Sequence, residues 1–284
     1  MAARLNWRKL GSWRCATRYA VPDAVTVAMP HSTDSRSNRL LAALPVAEWL
    51  RWLPYLEAVD LTPGQVLFES GRPPRHAYFP ITAIVSLLYI TQDGAPAATA
   101  VIGHEGFVGT ALILGGSTTL GCAVVQSAGR AWRMQARRLT DASARSAQVT
   151  HLLLRYTQAQ MVQTAQTALC NRHHSIDQQL CGWLLQCLDR QAGSDVAMTQ
   201  ELIAQNLGVR REGVTEAAHA LQRLGLIRCS RGHIRVLDRR TIEARACECH
   251  AVARAAYERL LPEAAIADAS AAEYLVPEAL ASAH

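Results

Sequence analysis

The sequence predicts an α+β chain in which a β-rich unit is joined through one long helix to a C-terminal winged helix-turn-helix. Three observations carry this reading. Between residues 61 and 139, short runs rich in Val, Ile, Tyr and Thr are punctuated by Pro63-Gly64, Gly71, Asp93-Gly94 and Gly103, at the spacing of an all-β barrel or roll. From Thr140-Asp141 to about Cys170, apolar residues recur at three-and-four spacing. From Thr199, the stretch TQELIAQNLGVRREGVTEAAHALQRLGLI sets two helical patterns on either side of Gly208, and an alternating run follows it.

Composition bounds the possibilities. The chain has 284 residues, enough for two domains with separate cores, and half of them are hydrophobic, as in a globular protein. The formal net charge is +6, nearly all of the positive charge being arginine, with Lys9 the only lysine. Arginine suits two-pronged contacts to phosphate and guanine, although a GC-rich genome produces the same bias. Eight cysteines are scattered along the chain without a secretory signal, the pattern of reduced cytoplasmic thiols. No apolar run approaches the ~20 residues that cross a bilayer, so a cytoplasmic location without a membrane partner is expected. Residues 1–38 carry Arg4, Arg8, Lys9, Arg14 and Arg18 before the first acid, Asp23, and are read as a basic disordered extension.

In chain order, residues 40 to 58 have helical spacing interrupted by Pro45 and Pro54, which predicts short helical turns. Asp93-Gly94 is a hairpin signal, because both residues tolerate positive φ. A helix of about 30 residues would then span roughly 45 Å. Its stripe Val149, Leu152, Tyr156 and Ala159, widened by Leu153, Met161, Val162, Ala165 and Leu169, is expected to meet a second copy, the alternative being packing on its own β-unit. The break NRHH at 171–174 is a candidate hinge, and Ser175 with Gln178 forms a capping-box start for the next helix.

In the C-terminal unit, small Ala204 sits where two steeply crossed helices approach, and Ile203, Leu207, Val209 and Val214 close the core between them. LIRCSRGHIRV then alternates apolar residues with arginines about a turn at Arg231-Gly232-His233, the signature of a two-stranded wing. Between Met198 and Arg240 there are eight arginines against four acids. Arg210 and Arg211 open the second helix, whose N-terminal amides and dipole favour phosphate and whose first turn enters the major groove in this geometry. Glu212 can accept from cytosine N4 or hold Arg211 in its rotamer. A solvated helix start with a local ion pair is the plainer alternative.

With VRREGV joined to a β-rich unit and a long linking helix, the chain resembles the Crp/Fnr superfamily of bacterial transcription regulators over residues 40 to about 240, most specifically from Thr199 to Val236. The resemblance implies a double-stranded β-helix (jelly-roll) sensor domain at 39–140, a dimerisation helix and hinge at 141–174 and a winged helix-turn-helix at 175–240; beyond it, the alanine-rich composition with spaced acids predicts a helical or disordered tail at 241–284. The resemblance also implies a homodimer on double-stranded DNA, with RNA polymerase as a further partner. The DNA-contacting candidates are Thr199, Gln200, Arg210, Arg211, Glu212, Thr215, Glu216, Arg231, His233 and Arg235, and the dimer-interface candidates are Val149, Leu152, Tyr156 and Ala159. The family's recognition helix typically carries an Arg-Glu pair and then a basic residue four positions after that Glu. Arg211 and Glu212 match, whereas the later position is Glu216, which implies an altered operator preference.

Cyclic-nucleotide binders of this family use a phosphate cassette of Gly-Glu followed by an Arg beside a small hydroxyl residue. The stretch GHEGFVGTALILGGSTTLGCA keeps Gly103 and Glu105, but no arginine lies between Arg75 and Arg130. A buried phosphodiester without a guanidinium partner is poorly compensated, so cyclic AMP is not the expected effector. Gly103, Glu105, Gly106, Ser117, Thr118 and Thr119 are the candidates for a pocket that takes an unknown small molecule. No cofactor is expected: only Cys15 stands where an iron–sulfur regulator would cluster its cysteines, and His76 and His104 are read as ordinary histidines rather than haem ligands. One Cys247-Glu-Cys249-His250 motif without a second cluster is read as plain helix, so no metal is expected. With no nucleophile-base set, Gly-rich phosphate loop or paired-His motif, the chain is not expected to be an enzyme.

Overall fold

The computed structural model describes residues 35–261 apart from 117 and 192, so the extension up to 34, the tail from 262 and Ser117 lie outside the described residues. Two short helices, α1 (Arg39–Ala42) and α2 (Val46–Trp52), precede seven strands: β1 (Glu57–Leu61), β2 (Val66–Phe68), β3 (His76–Pro80), β4 (Ile84–Ile90), β5 (Pro96–Ile102), β6 (Cys122–Ser127) and β7 (Gly129–Gln135). They form two antiparallel sheets, in orders β1-β7-β3 and β2-β6-β4-β5, which enclose a core of Leu61, Tyr78, Val85, Ile102, Val125 and Ala131. Helix α3 (Ala136–Arg145) follows, then α4 (Ala147–His173).

The C-terminal unit comprises α5 (Ile176–Leu188), β8 (Asp195–Val196), α6 (Gln200–Leu207), α7 (Arg211–Arg223), β9 (Ile227–Ser230) and β10 (His233–Val236). Its sheet has three strands in the order β8-β10-β9, one more than expected, because Asp195 and Val196 pair with Arg235 and Ile234. Helices α8 (Arg239–Arg245) and α9 (Glu248–Leu260) bring the chain back along α4. Among the described residues, no helix is long and apolar enough to cross a membrane.

The predicted long helix is broken. Ser146 adopts extended φ −126°, ψ 111°, and its side chain accepts from the Val149 amide. Ser146 thereby serves as N-cap of α4, so the helix that continues to the hinge begins at Ala147 rather than near 141. Ser175 accepts from Gln178 N and Gln178 reciprocates, making the expected capping box at α5.

The stripe assigned to a second copy is buried in the chain's own core, which corrects that expectation. Val149, Tyr156 and Ala159 have no exposed surface, Leu152 is buried, and all four pack with Leu40, Trp52, Phe79, Phe107, Tyr257 and Leu260. An aromatic column makes this face inward: Phe79 lies 5.7 Å from Phe107, Phe107 5.2 Å from Tyr156, and Tyr156 6.1 Å from Tyr257. The Tyr156 hydroxyl donates to the Phe107 carbonyl at 3.1 Å. The apolar residues α4 leaves outward are Leu154, Met161 and Leu169.

The β-roll and the winged helix share a core. In β6, Ala123 and Val125 face the opposing sheet, whereas Cys122 and Val124 face the cluster built from α5, α6 and α7. Asn206 of α6 reaches across so that its Oδ1 lies 2.9 Å from the Ser86 hydroxyl of β4, itself 2.6 Å from Gln126 Oε1. Beside this seam, Arg190 at the end of α5 donates Nε to Glu105 Oε1 at 2.8 Å, with both side chains 7% exposed. Removing one member of a buried ion pair leaves the other charge uncompensated. Arg190→Met is therefore expected to cost about 3 to 5 kcal/mol in chemical denaturation, and adding Glu105→Gln to recover much of that loss. A single variant as stable as the wild type would contradict the assignment.

Candidate nucleic-acid interface

The surface formed by α6, α7 and the β8-β10-β9 sheet is built from local signals. The Thr199 hydroxyl caps α6 by accepting from Leu202 N at 3.3 Å. Gly208 ends α6 at φ 67°, a conformation glycine adopts without steric cost, and the Val209 amide returns to the Ala204 carbonyl at 3.0 Å. Ala204, Ile203, Leu207 and Val214 are buried as expected. Gly213 packs closely on α5: a Cβ there would stand 2.7 Å from Ile176 Cδ1, whose side chain would have to shift.

Arg210 is the N-cap of α7 and makes no side-chain cap, so the first amides of α7 are not taken by a cap. Arg211, Glu212 and Glu216 are exposed along one side of α7, and the same face continues through His219 and Arg223. Among the described residues, none of Arg210, Arg211, Glu212 and Glu216 enters an ion pair; the alternative role of Glu212, as a clamp on Arg211, is not adopted. Thr215 and Gln200 are joined to each other, the hydroxyl lying 2.8 Å from Gln200 Oε1 and 3.0 Å from the Arg211 carbonyl. They tie the starts of the two helices together.

In the wing, Arg231 is exposed beside Gly232 at φ 76°, and His233 is half-buried. Arg235 is exposed but engaged: its Nε donates to Asp195 Oδ2 of β8 at 3.0 Å, and this hydrogen bond lowers the Asp195 pKa. That partner comes from the strand the sequence analysis missed. Arg228, directly opposite Arg235 in the β9–β10 register, is an exposed cation that was not selected, nor were His219 and Arg223. The helical spacing 212, 215, 216, 219, 223 was the signal that could have found the latter two.

Of the six pocket candidates, Ser117 lies outside the described residues, and Gly103, Glu105 and Gly106 are buried among neighbouring side chains rather than facing an open space. Glu105 accepts from Gly103 N at 3.0 Å and from Arg190, so its carboxylate is satisfied within the protein. A Cβ on Gly106 would meet Tyr156 Cε2 at 1.9 Å, and one on Gly103 would meet Arg190 Cβ at 2.6 Å. Thr118 is exposed, and Thr119 belongs to the β2 side, its carbonyl accepting from Gly71 N at 2.7 Å. The guanidinium missing from residues 76–129 is thus present in three dimensions as Arg190, but it binds Glu105.

The Cys247-Glu-Cys249-His250 motif divides. His250 turns away, its Nε2 lying 2.7 Å from Asp189 Oδ2. Burial raises the Asp189 pKa, but hydrogen bonds from His250 and Arg239 outweigh this and hold it at about 2. Cys247 and Cys249 instead meet Cys170 and His174 of α4, a group of metal-competent side chains that the sequence expectation of no metal site overlooked.

Comparison with known proteins places these features in a family. A cyclic nucleotide-binding domain model matches residues 58–146, and a Crp-like helix-turn-helix domain model matches residues 178–245. A comparison with curated proteins finds no match. Among solved structures, a Crp/Fnr-family regulator from Eubacterium rectale aligns with TM-score 0.59 at 16% identity, covering 74% of this chain and 98% of that one. FixK2 from Bradyrhizobium japonicum aligns with TM-score 0.59 at 17% identity, covering 68% and 98%. The c-di-GMP-responsive regulator CLP of Xanthomonas campestris aligns with TM-score 0.55 at 16% identity, covering 68% and 100%. A cyclic nucleotide-binding domain, a long helix and a Crp-like helix-turn-helix domain thus follow one another in this chain, in the fold of those Crp/Fnr-family regulators.

Proposed function

We propose that the protein is a sequence-specific transcription regulator that binds a palindromic operator as a homodimer, reading bases with the first turns of α7. The observation that carries this is the exposed face of α7, where Arg211, Glu212 and Glu216 stand free of ion pairs beyond uncapped helix amides, with Arg231 projecting from the wing. Arg211 suits bidentate donation to guanine and Glu212 acceptance from cytosine N4. Arg210, Arg231 and Arg228 supply phosphate contacts, and RNA polymerase is the downstream partner.

The second copy is assigned to the outward face of α4. Leu154 is 43% exposed, Met161 68% and Leu169 43%, and the first two are seven residues apart, a heptad step that another α4 can cover. Two-fold pairing along these helices would present two α7 helices to half-sites separated by about one DNA turn, roughly 34 Å.

Cyclic AMP is not the switch in this reading. Where a nucleotide phosphate would need a guanidinium, Arg190 is committed to Glu105, and the Tyr156 ring fills the space over Gly106.

Arg211→Ala is expected to weaken operator binding by about 1 to 3 kcal/mol while changing random-sequence binding far less. Equal losses on both DNAs, titrated at one salt concentration, would make Arg211 a phosphate contact. In the same assay Arg231→Ala should lower affinity for all sequences and reduce the log–log salt slope by about one unit; an unchanged slope removes the wing from the interface. Met161→Glu is expected to yield a folded monomer in sedimentation, and a folded dimer would place the seam elsewhere. Finally, calorimetry should detect no micromolar binding of cyclic AMP. Binding accompanied by a tenfold gain in operator affinity would overturn that part of the proposal.

A further inference from the structure

The winged-helix unit is joined to the rest of the chain by two connections. The chain leaves α4 at His174 to enter α5, and it returns from α8 into α9 at Cys247. At that junction four potential ligands converge: Cys170 and His174, one turn apart at the end of α4, and Cys247 and Cys249 at the start of α9. Their four ligand atoms all lie within 4.8 Å of one another; Cys170 Sγ is 3.5 Å from Cys247 Sγ, and Cys249 Sγ is 3.6 Å from His174 Nδ1. A tetrahedral ion bound at about 2.3 Å to sulfur and about 2.0 Å to nitrogen needs ligand–ligand edges of roughly 3.5 to 3.8 Å. An iron–sulfur cluster interposes several iron and sulfide atoms and needs a wider frame.

We propose that Cys170, His174, Cys247 and Cys249 form a site for one thiophilic divalent cation of the Zn2+ class, which clasps the two ends of the winged-helix unit together. Three thiolates and one imidazole complete a tetrahedron, the closed coordination of a structural ion rather than a catalytic one. The surroundings suit this role. His174 directs Nδ1 toward Cys249 and leaves Nε2 3.5 Å from Glu248 Oε1, so the carboxylate orients the imidazole and sets which nitrogen is free to ligate. Cys247 is the N-cap of α9 and makes no side-chain cap, while Cys249 lies in its first turn, so neither sulfur is engaged as a helix cap. Cys247 and Cys249 are buried and His174 and Cys170 partly so, which shields a bound ion from exchange. Through His174, the last residue before the Ser175 cap of α5, occupancy of the site fixes the angle at which the DNA-reading unit leaves α4.

The test uses the full chain, reduced, stripped with a chelator and titrated with Co2+. One equivalent per chain is expected, with the intense visible absorption of tetrahedral cobalt and a thiolate-to-cobalt charge-transfer band, both abolished by Zn2+. Cys170→Ser and Cys249→Ser should each lose the band, whereas Cys187→Ser, a buried cysteine outside the cluster, should keep it. Glu248→Gln should keep the band but weaken Co2+ affinity by about 10- to 100-fold. No uptake by the reduced wild type, a pale octahedral spectrum, uptake indifferent to Cys170 and Cys249, or a Cys170–Cys247 disulfide forming in place of metal binding would each overturn the proposal. The wild-type titration requires no variant, so a variant that fails to fold leaves the test intact.

Discussion

The architecture depends on covering both faces of the β2-β6-β4-β5 sheet. Strand β6 is buried along its whole length, with alternate residues in two different cores, so neither face tolerates water. The opposing β1-β7-β3 sheet covers one face. The other is met by the cluster built from α5, α6 and α7, which holds the winged helix against the β-roll and sets where α7 stands. A strand apolar at both parities carries an unmet demand for a partner, and the demand is met here within one chain.

Burying that seam brings polar groups with it, and several of them are paired across it. Ser86, Gln126 and Asn206 form one hydrogen-bonded group across the two units, and Gln126 also donates to the Cys187 sulfur at 3.3 Å. Glu105 and Arg190 neutralise each other nearby. Such groups cost free energy when unmatched, so they add register rather than bulk stability to an interface held by apolar contact.

The long helix shows how one element serves two partners. Its Val149-Tyr156 face is taken by the β-roll and by α9, and the aromatic column from Phe79 to Tyr257 leaves no room for another chain there. The opposite face, with Leu154 and Met161, remains apolar and outward. Gln163, buried four residues after Ala159, continues the inward face, donating to Gln186 Oε1 of α5 at 2.8 Å and accepting from the Tyr257 hydroxyl at 2.8 Å.

The sequence by itself determined what short-range chemistry dictates: the alternating strands, the Ser175 capping box, the left-handed Gly208 turn, the helix opening at Arg211 and the wing turn at Gly232. Each depends on residues within a few positions, so each was legible, and with them the exposed charges of α7. Only the tertiary structure decided which stripe of α4 turns inward, because α4 is apolar on more than one side and periodicity alone does not rank its faces. It likewise decided that Arg235 faces Asp195, that Glu105 meets Arg190 and that His250 leaves its motif for Asp189. The cysteine cluster is the extreme case. Cys170 and Cys247 are 77 positions apart, and no local pattern shows that a whole domain folds out and back between them to bring two sulfurs within 3.5 Å.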